Sequence, residues 1–227
     1  GGLSTVFENG YISIMKGNWK IRVMQVKDIP LTYEGKAIHN INNCLPAVLA
    51  AYLFRDITID DIKTGLQTFI PSESLTPGRL NFFQFKNFTM LADFAHNPHG
   101  LKLLCDFVGK LDYPARIGVI SGTGDRRDED IRELGEISGK YFDEIIIRCD
   151  KNLRGRTADE IMTLLEEGIR QVNKTIPVIK IANENEALEY IYANPVQGAL
   201  YTIMCDVVAG ALDKIKQLKD RETSVTT

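Results

Sequence analysis

The sequence predicts an α/β fold in which helices cover both faces of an open, mostly parallel sheet. Three observations carry that reading. From residue 88 onward, short apolar runs alternate five times with amphipathic stretches, the signature of strands joined by crossover helices. Polar clusters stand just after the first three runs, where an open parallel sheet holds its ligands. The residues before Pro77 lack the alternation, so a segment of different character precedes the sheet.

In that first segment, Gly10–Ile14 and Trp19–Val26 flank Lys16-Gly17-Asn18. Gly and Asn tolerate the positive φ of a tight turn, so a β-hairpin is expected. Residues 39–54 switch to helical spacing, with Ile41, Leu45, Val48, Leu49 and Tyr52 on one face. A shorter helix follows from about Ile59 to Phe69, with Asp60 and Asp61 in its first turn. Pro71 to Pro77 is rich in Ser, Pro and Thr without periodicity and reads as a linker. The expected domains are therefore 1–77 and 78–227.

In the second, strands are expected at 88–94, 115–121, 144–149, 177–182 and 199–204. Helices are expected at about 98–110, 128–141, 158–173, 184–193 and 206–218. Thr157 followed by Glu160 makes a capping box for the third helix. Its buried stripe would be Ile161, Leu164, Leu165, Ile169 and Val172. The last ten residues are polar and are expected to fray.

Composition narrows the function classes. A net charge of −3 over 227 residues gives no electrostatic case for nucleic acid or an anionic membrane. No apolar run reaches the roughly 18 residues of a membrane span. No basic-then-apolar leader opens the chain, and the missing initiator Met fits an internal cut. The four cysteines form no C-x-x-C pair. Cys105 and Cys205 read as small core residues, and the chain as a reduced, cytoplasmic protein.

The polar clusters each admit two readings. Asp93, at the end of the first strand of the sheet, either accepts hydrogen bonds from ribose hydroxyls or caps the next helix. His96 and His99 form an H-x-x-H pair without a third ligand nearby, so no metal site is expected. Gly122-Thr123-Gly124-Asp125-Arg126-Arg127 follows a strand and opens a helix. It is a site for a carboxylate or phosphate, or a plain β-to-α turn with surface arginines. Asp150-Lys151-Asn152-Leu153-Arg154-Gly155-Arg156 is a substrate loop or a solvated one. Asn40 and Asn43 share a helix face and suit adenine, which needs both a donor and an acceptor; capping would explain one of them. Arg79, after Pro77-Gly78, is a surface charge or a phosphate ligand.

Taken together, these residues resemble the Mur ligase superfamily, which includes the peptidoglycan amino-acid ligases and folylpolyglutamate synthase. The resemblance runs through His39-Asn40 with Asn43, Gly78-Arg79, and Asp93 with His96. It is strongest toward the cyanophycin synthetase branch. Three strings carry that: Thr76-Pro77-Gly78-Arg79-Leu80-Asn81, Asp93-Phe94-Ala95-His96-Asn97-Pro98 and Gly124-Asp125-Arg126-Arg127-Asp128. Phe142-Asp143 and Arg154-Gly155-Arg156 strengthen it.

The resemblance implies a Rossmann-like carboxyl-terminal ligase domain, preceded by part of the central ATP-binding domain. It implies ATP and Mg2+ as cofactors, with the main Mg2+ ligands upstream. Arg79 and Asp93 would be catalytic, and Asn40, Asn43, Arg79, Asp93, His96 and Asn97 would bind the nucleotide. Gly124, Asp125, Arg126, Arg127, Asp150, Arg154 and Arg156 would face the incoming amino acid. That amino acid would be arginine and the acceptor poly-aspartate; a homo-oligomer of the full-length enzyme is compatible with the resemblance. Two departures stand out. No phosphate loop ending in Gly-Lys-Ser/Thr occurs in the 227 residues, so an inactive piece of a larger enzyme is expected. Cys149 stands where the branch is more acidic. The alternatives are a Mur or folylpolyglutamate-type ligase with another amino acid, and an inert Rossmann-like binding module.

Overall fold

The computed structural model describes residues 2–224. The chain divides into two compact units, which part between Pro71 and Ser72, earlier than the junction expected at 77/78. Residues 72–77 join the second unit because a local turn holds them there. Thr76 N–H donates to the Ser72 carbonyl, and Asn81 Nδ2 donates to the Thr76 carbonyl at 3.0 Å.

The first unit has one more strand than the hairpin reading foresaw. β1 (Leu3–Glu8), β2 (Tyr11–Lys16) and β3 (Trp19–Gln25) form an antiparallel sheet in that order. Asn9 and Gly10, both at positive φ, make the tight turn between β1 and β2. Two helices, α1 (Ile38–Leu53) and α2 (Ile59–Thr68), pack with the sheet. Ile12, Ile14 and Val23 meet Ile41, Cys44, Val48 and Ile62 in a shared core. Thr58 caps α2 in a capping box with Asp61.

The second unit is a six-stranded sheet in the order β4-β5-β9-β6-β7-β8. β5 (Thr89–Asp93), β6 (Arg116–Ile120), β7 (Glu144–Ile147), β8 (Val178–Lys180) and β9 (Leu200–Met204) are the expected strands, and all run parallel. The added strand, β4 (Asn81–Gln84), pairs antiparallel with β5 at the edge. All residues of β5 and β9 are buried, as central strands covered on both faces require.

The helices are α3 (Pro98–Val108), α4 (Asp128–Tyr141), α5 (Ala158–Val172), α6 (Glu184–Ala193) and α7 (Val208–Ser224). On one face α3 packs on α4 and α4 on α5; on the other, α6 packs on α7. α7 is helical through Ser224, well into the stretch expected to fray; residues 225–227 lie outside the described ones. The α5 capping box forms as expected, with Thr157 accepting from Glu160 N–H. Val172 leaves the predicted stripe and is 38% exposed. All four cysteines are buried and unpaired.

Topology places the site. Successive helical crossovers carry the chain outward from β5 through β6 and β7 to β8. The chain then returns to insert β9 between β5 and β6. The crevice at the carboxyl ends of these strands is the switch point, where ligands of open α/β sheets bind.

Candidate active site

A cavity of about 190 Å3 opens at that switch point, lined by Phe94, His96, Ser121, Thr123, Arg126, Asp150, Arg154 and Asp206 among others. Beside it lies a cavity of about 620 Å3, lined by Cys149, Asp150, Lys151, Asn183, Glu184, Asp206 and Val207. Asp150 and Asp206 belong to both.

The segment entering β4 is a turn built to present Arg79. Gly78 lies at φ +69° and Leu80 at φ +50°, the left-handed region that non-glycine residues avoid. A β-carbon at Gly78 would also stand 2.7 Å from Val208. Side chains satisfy the turn's backbone. Asn81 Oδ1 accepts from Gly78 N–H at 2.7 Å, and Asp93 Oδ2 accepts from Leu80 N–H at 3.0 Å. Leu80 is buried, whereas Arg79 is exposed, with its guanidinium 5.8 Å from the Phe94 ring centre. That ring in turn lies 4.7 Å from the His96 imidazole.

Asp93 is 8% exposed. Burial raises its carboxyl pKa to about 6, against the opposing pull of the Leu80 hydrogen bond and the Arg79 charge. It does not cap α3. That role falls to Asn97, whose Oδ1 accepts from Gly100 N–H at 2.8 Å.

The sequence reading missed the charged centre beneath both cavities. Arg148 is fully buried. Its guanidinium meets Asp150 Oδ1 at 2.9 Å and Glu184 Oε1 at 3.2 Å, and it donates to the Met204 carbonyl. It thereby ties the ends of β7 and β9 to the start of α6. Its Nε has no hydrogen-bond partner among the described residues. Ser121 donates to Asp150 Oδ1 at 2.8 Å, and Glu184 Oε1 accepts from Asp206 N–H at 3.0 Å. Burial pushes the Glu184 carboxyl up, with Arg148 pulling it back.

The two polar loops expected to face a substrate grip each other. Arg154 pairs with Asp125. Arg156 donates to the carbonyls of Gly124 and Arg126, each at 3.0 Å, and meets Asp128 at 2.7 Å. Gly124 is glycine because the Leu153 carbonyl fills the space of a β-carbon. Arg127 is committed to Asp130 through two hydrogen bonds of 3.1 and 2.7 Å. Of the seven residues expected at the substrate, Arg126, Asp150 and Arg154 line the smaller cavity. Among the described residues, no carboxylate lies within salt-bridge distance of Arg126.

Asn40 and Asn43 belong to the first unit. Neither caps α1, whose N-cap is Ala37. Asn40 Nδ2 donates to the Leu31 carbonyl at 2.8 Å, and Asn43 is exposed.

With this geometry in place, comparison with known proteins is decisive. The family described as Mur ligase, glutamate ligase domain, matches residues 78–206. The chain belongs to the Mur ligase family. Cyanophycin synthetase of Trichormus variabilis is 39% identical over 95% of the chain, which covers 24% of that protein. The diaminopimelate-adding Mur ligase of Caldanaerobacter subterraneus is 28% identical over 78% of the chain and 35% of its own length. The chain thus spans about a quarter of the cyanophycin synthetases it matches. The Mycobacterium tuberculosis folylpolyglutamate synthase structure, complexed with ADP and AMPPCP, superposes on 93% of the chain. That match covers 46% of the solved chain at a TM-score of 0.65 and 19% identity, and it shows the shared Mur ligase fold. Among the described residues, no helix is long and apolar enough to cross a membrane.

Proposed function

We infer that the chain is part of an ATP-dependent ligase that joins an amino acid to a carboxylate through an amide bond. The observation that carries this is the switch-point cavity, which brings an Arg126 guanidinium without a carboxylate partner together with the Asp150 carboxylate. A free amino acid needs that pair: a cation for its α-carboxylate and an anion for its ammonium group.

Arginine is the proposed amino acid and a poly-aspartate side chain the proposed acceptor, as in the cyanophycin synthetases it resembles. Cys149 is neutral, but Asp206 gives the adjoining cavity a carboxylate that a guanidinium side chain can pair with. On this reading residues 1–77 close the central ATP-binding domain and residues 78–227 form the carboxyl-terminal one.

The residues present fit ATP at one point. Arg79 offers an exposed guanidinium on a braced turn, suited to phosphate oxygens. Bound ATP would supply the phosphoryl group that activates the acceptor carboxylate as an acyl phosphate. Arg79 would steady the phosphates by charge and position, which do most of the work in phosphoryl transfer. Arg126 and Asp150 would hold the amino acid with its nitrogen toward the activated carbon, and His96 would line the same cavity. Among the described residues, no three His, Cys, Asp or Glu side chains converge to hold a metal ion.

The test uses the natural full-length protein with a poly-aspartate primer, ATP and arginine, lysine or ornithine, following ADP release and primer mass. Arginine-dependent mass gain is expected. No acceptance of any basic amino acid would sink the arginine assignment, and ATP turnover by the isolated 227-residue chain would show that it needs no further part.

A further inference from the structure

We propose that Asp93 is a positioning residue, acting through the Leu80 main chain to aim Arg79 rather than by touching a ligand itself. The inference rests on the ligase reading only for what Arg79 meets.

The carboxylate is almost wholly withdrawn from solvent, at 8% exposure. Its Oδ2 accepts from Leu80 N–H, the residue directly after Arg79 and one held at φ +50°. The backbone on either side of Asp93 is engaged as well. Its carbonyl accepts from Cys205 N–H at 2.8 Å, and Phe94 N–H donates to the Gly78 carbonyl at 2.9 Å. Asp93 and Phe94 thus grip both ends of a three-residue turn. Only the middle side chain, Arg79, projects from it, resting against Phe94. The carboxylate also accepts from Ala95 N–H, so it ties the turn to the chain leaving β5. A buried carboxylate is a costly way to satisfy these two amides unless they must stay fixed. Without the acceptor, Leu80 has reason to leave the left-handed region, and the guanidinium loses its fixed origin.

Two measurements decide this. In the chain itself, hydrogen exchange at the Leu80 amide should speed up in Asp93→Ala and stay near the unaltered rate in Asp93→Asn, which keeps an acceptor oxygen. Melting curves would confirm that both variants fold. In the full-length protein, Arg79→Ala should raise the KM for ATP roughly 10- to 100-fold, the worth of a charged hydrogen bond. Asp93→Ala should reproduce most of that rise, and Asp93→Asn little of it. The double variant should match Arg79→Ala within about twofold, because coupled residues are not additive. Discrimination between ATP and its 2′- and 3′-deoxy forms should be the same in Asp93→Ala as in the unaltered protein. Additive losses, a loss of ribose discrimination, or unchanged Leu80 exchange would each overturn the proposal. A full-length protein that does not use ATP would overturn the ligase reading, and the Leu80 amide would still decide the positioning.

Discussion

The carbonyl oxygen of Leu153 occupies the space that a β-carbon on Gly124 would need, so the two polar loops at the sheet's carboxyl edge meet backbone to backbone. Gly124→Ala must push them apart. Backbone cannot rotate away as a side chain can, and overpacking of this kind costs about 1–3 kcal/mol. Urea unfolding should show that loss, with amide shifts concentrated in residues 150–156. Unchanged stability and unchanged shifts would mean that the loops are not in register.

Asp93 makes stability depend on pH in an unusual direction. Its carboxyl goes from an ordinary 3.8 to about 6 on folding, so the unfolded chain releases the proton first. Stability from this group is therefore present below about pH 4 and lost as pH rises through 6, by roughly 3 kcal/mol. Its charged or titratable neighbours are Arg79 on the turn and Cys205 after β9. Asp93→Asn keeps the acceptor and removes the charge. It should stabilise the protein at pH 8 and make little difference at pH 4, as read from urea titrations at both. A difference that does not vary with pH would count against the burial argument.

Arg148 is the buried cation on which two carboxylates depend. Arg148→Ala should cost about 3–5 kcal/mol, because it strands uncompensated charge in the interior. Adding Glu184→Gln should recover part of that loss, since the amide still accepts from Asp206 N–H. If the double variant is no more stable than the single one, Glu184 is not held by Arg148.

Thr157 caps α5 in a capping box that closes in both directions. Thr157→Ala should lower stability by about 1 kcal/mol without altering either cavity. Thermal melts, with the shifts of Ser121 and Asp150 as a control, test both halves of the statement.

Arg126 should govern amino-acid affinity rather than ATP affinity. In the full-length protein, Arg126→Ala is expected to raise the amino-acid KM roughly 10- to 100-fold, the worth of a charge-assisted contact, with the ATP KM unchanged. An equal rise in both would move Arg126 to the nucleotide.

The parallel strands were readable because each is a short apolar run bounded by turn residues, and both faces of the sheet demand such runs. β4 was missed because Asn81–Gln84 reads Asn-Phe-Phe-Gln, two apolar residues closed in by amides, and offers no apolar run like Glu144–Ile147. β1 was missed although Asn9-Gly10 is the strongest short hairpin signal in the segment. Sequence position led to Arg126 and Asp150, which the fold brings to the lining of one cavity, because strand ends point to where ligands of open sheets bind. It could not find Arg148 or Glu184, whose importance lies in meeting each other across 36 residues of sequence. Nor could it tell that Arg154 and Arg156 serve the neighbouring loop, since a basic residue looks the same whether it holds a substrate or a carbonyl. The one available signal was Gly124, whose missing side chain marks close backbone approach as readily as a bound anion.

Of the six described strands of this sheet, β9 is the last to leave the ribosome, yet it stands between β5 and β6. Until residue 204 is made, those two strands have no neighbour on their facing edges, and the growing chain carries open, apolar sheet margins. The domain therefore cannot close from its amino end as synthesis proceeds. It waits for a keystone that arrives nearly last, which favours slow folding through non-local pairing. A ribosome stalled before that point holds an aggregation-prone intermediate, not a smaller version of the domain.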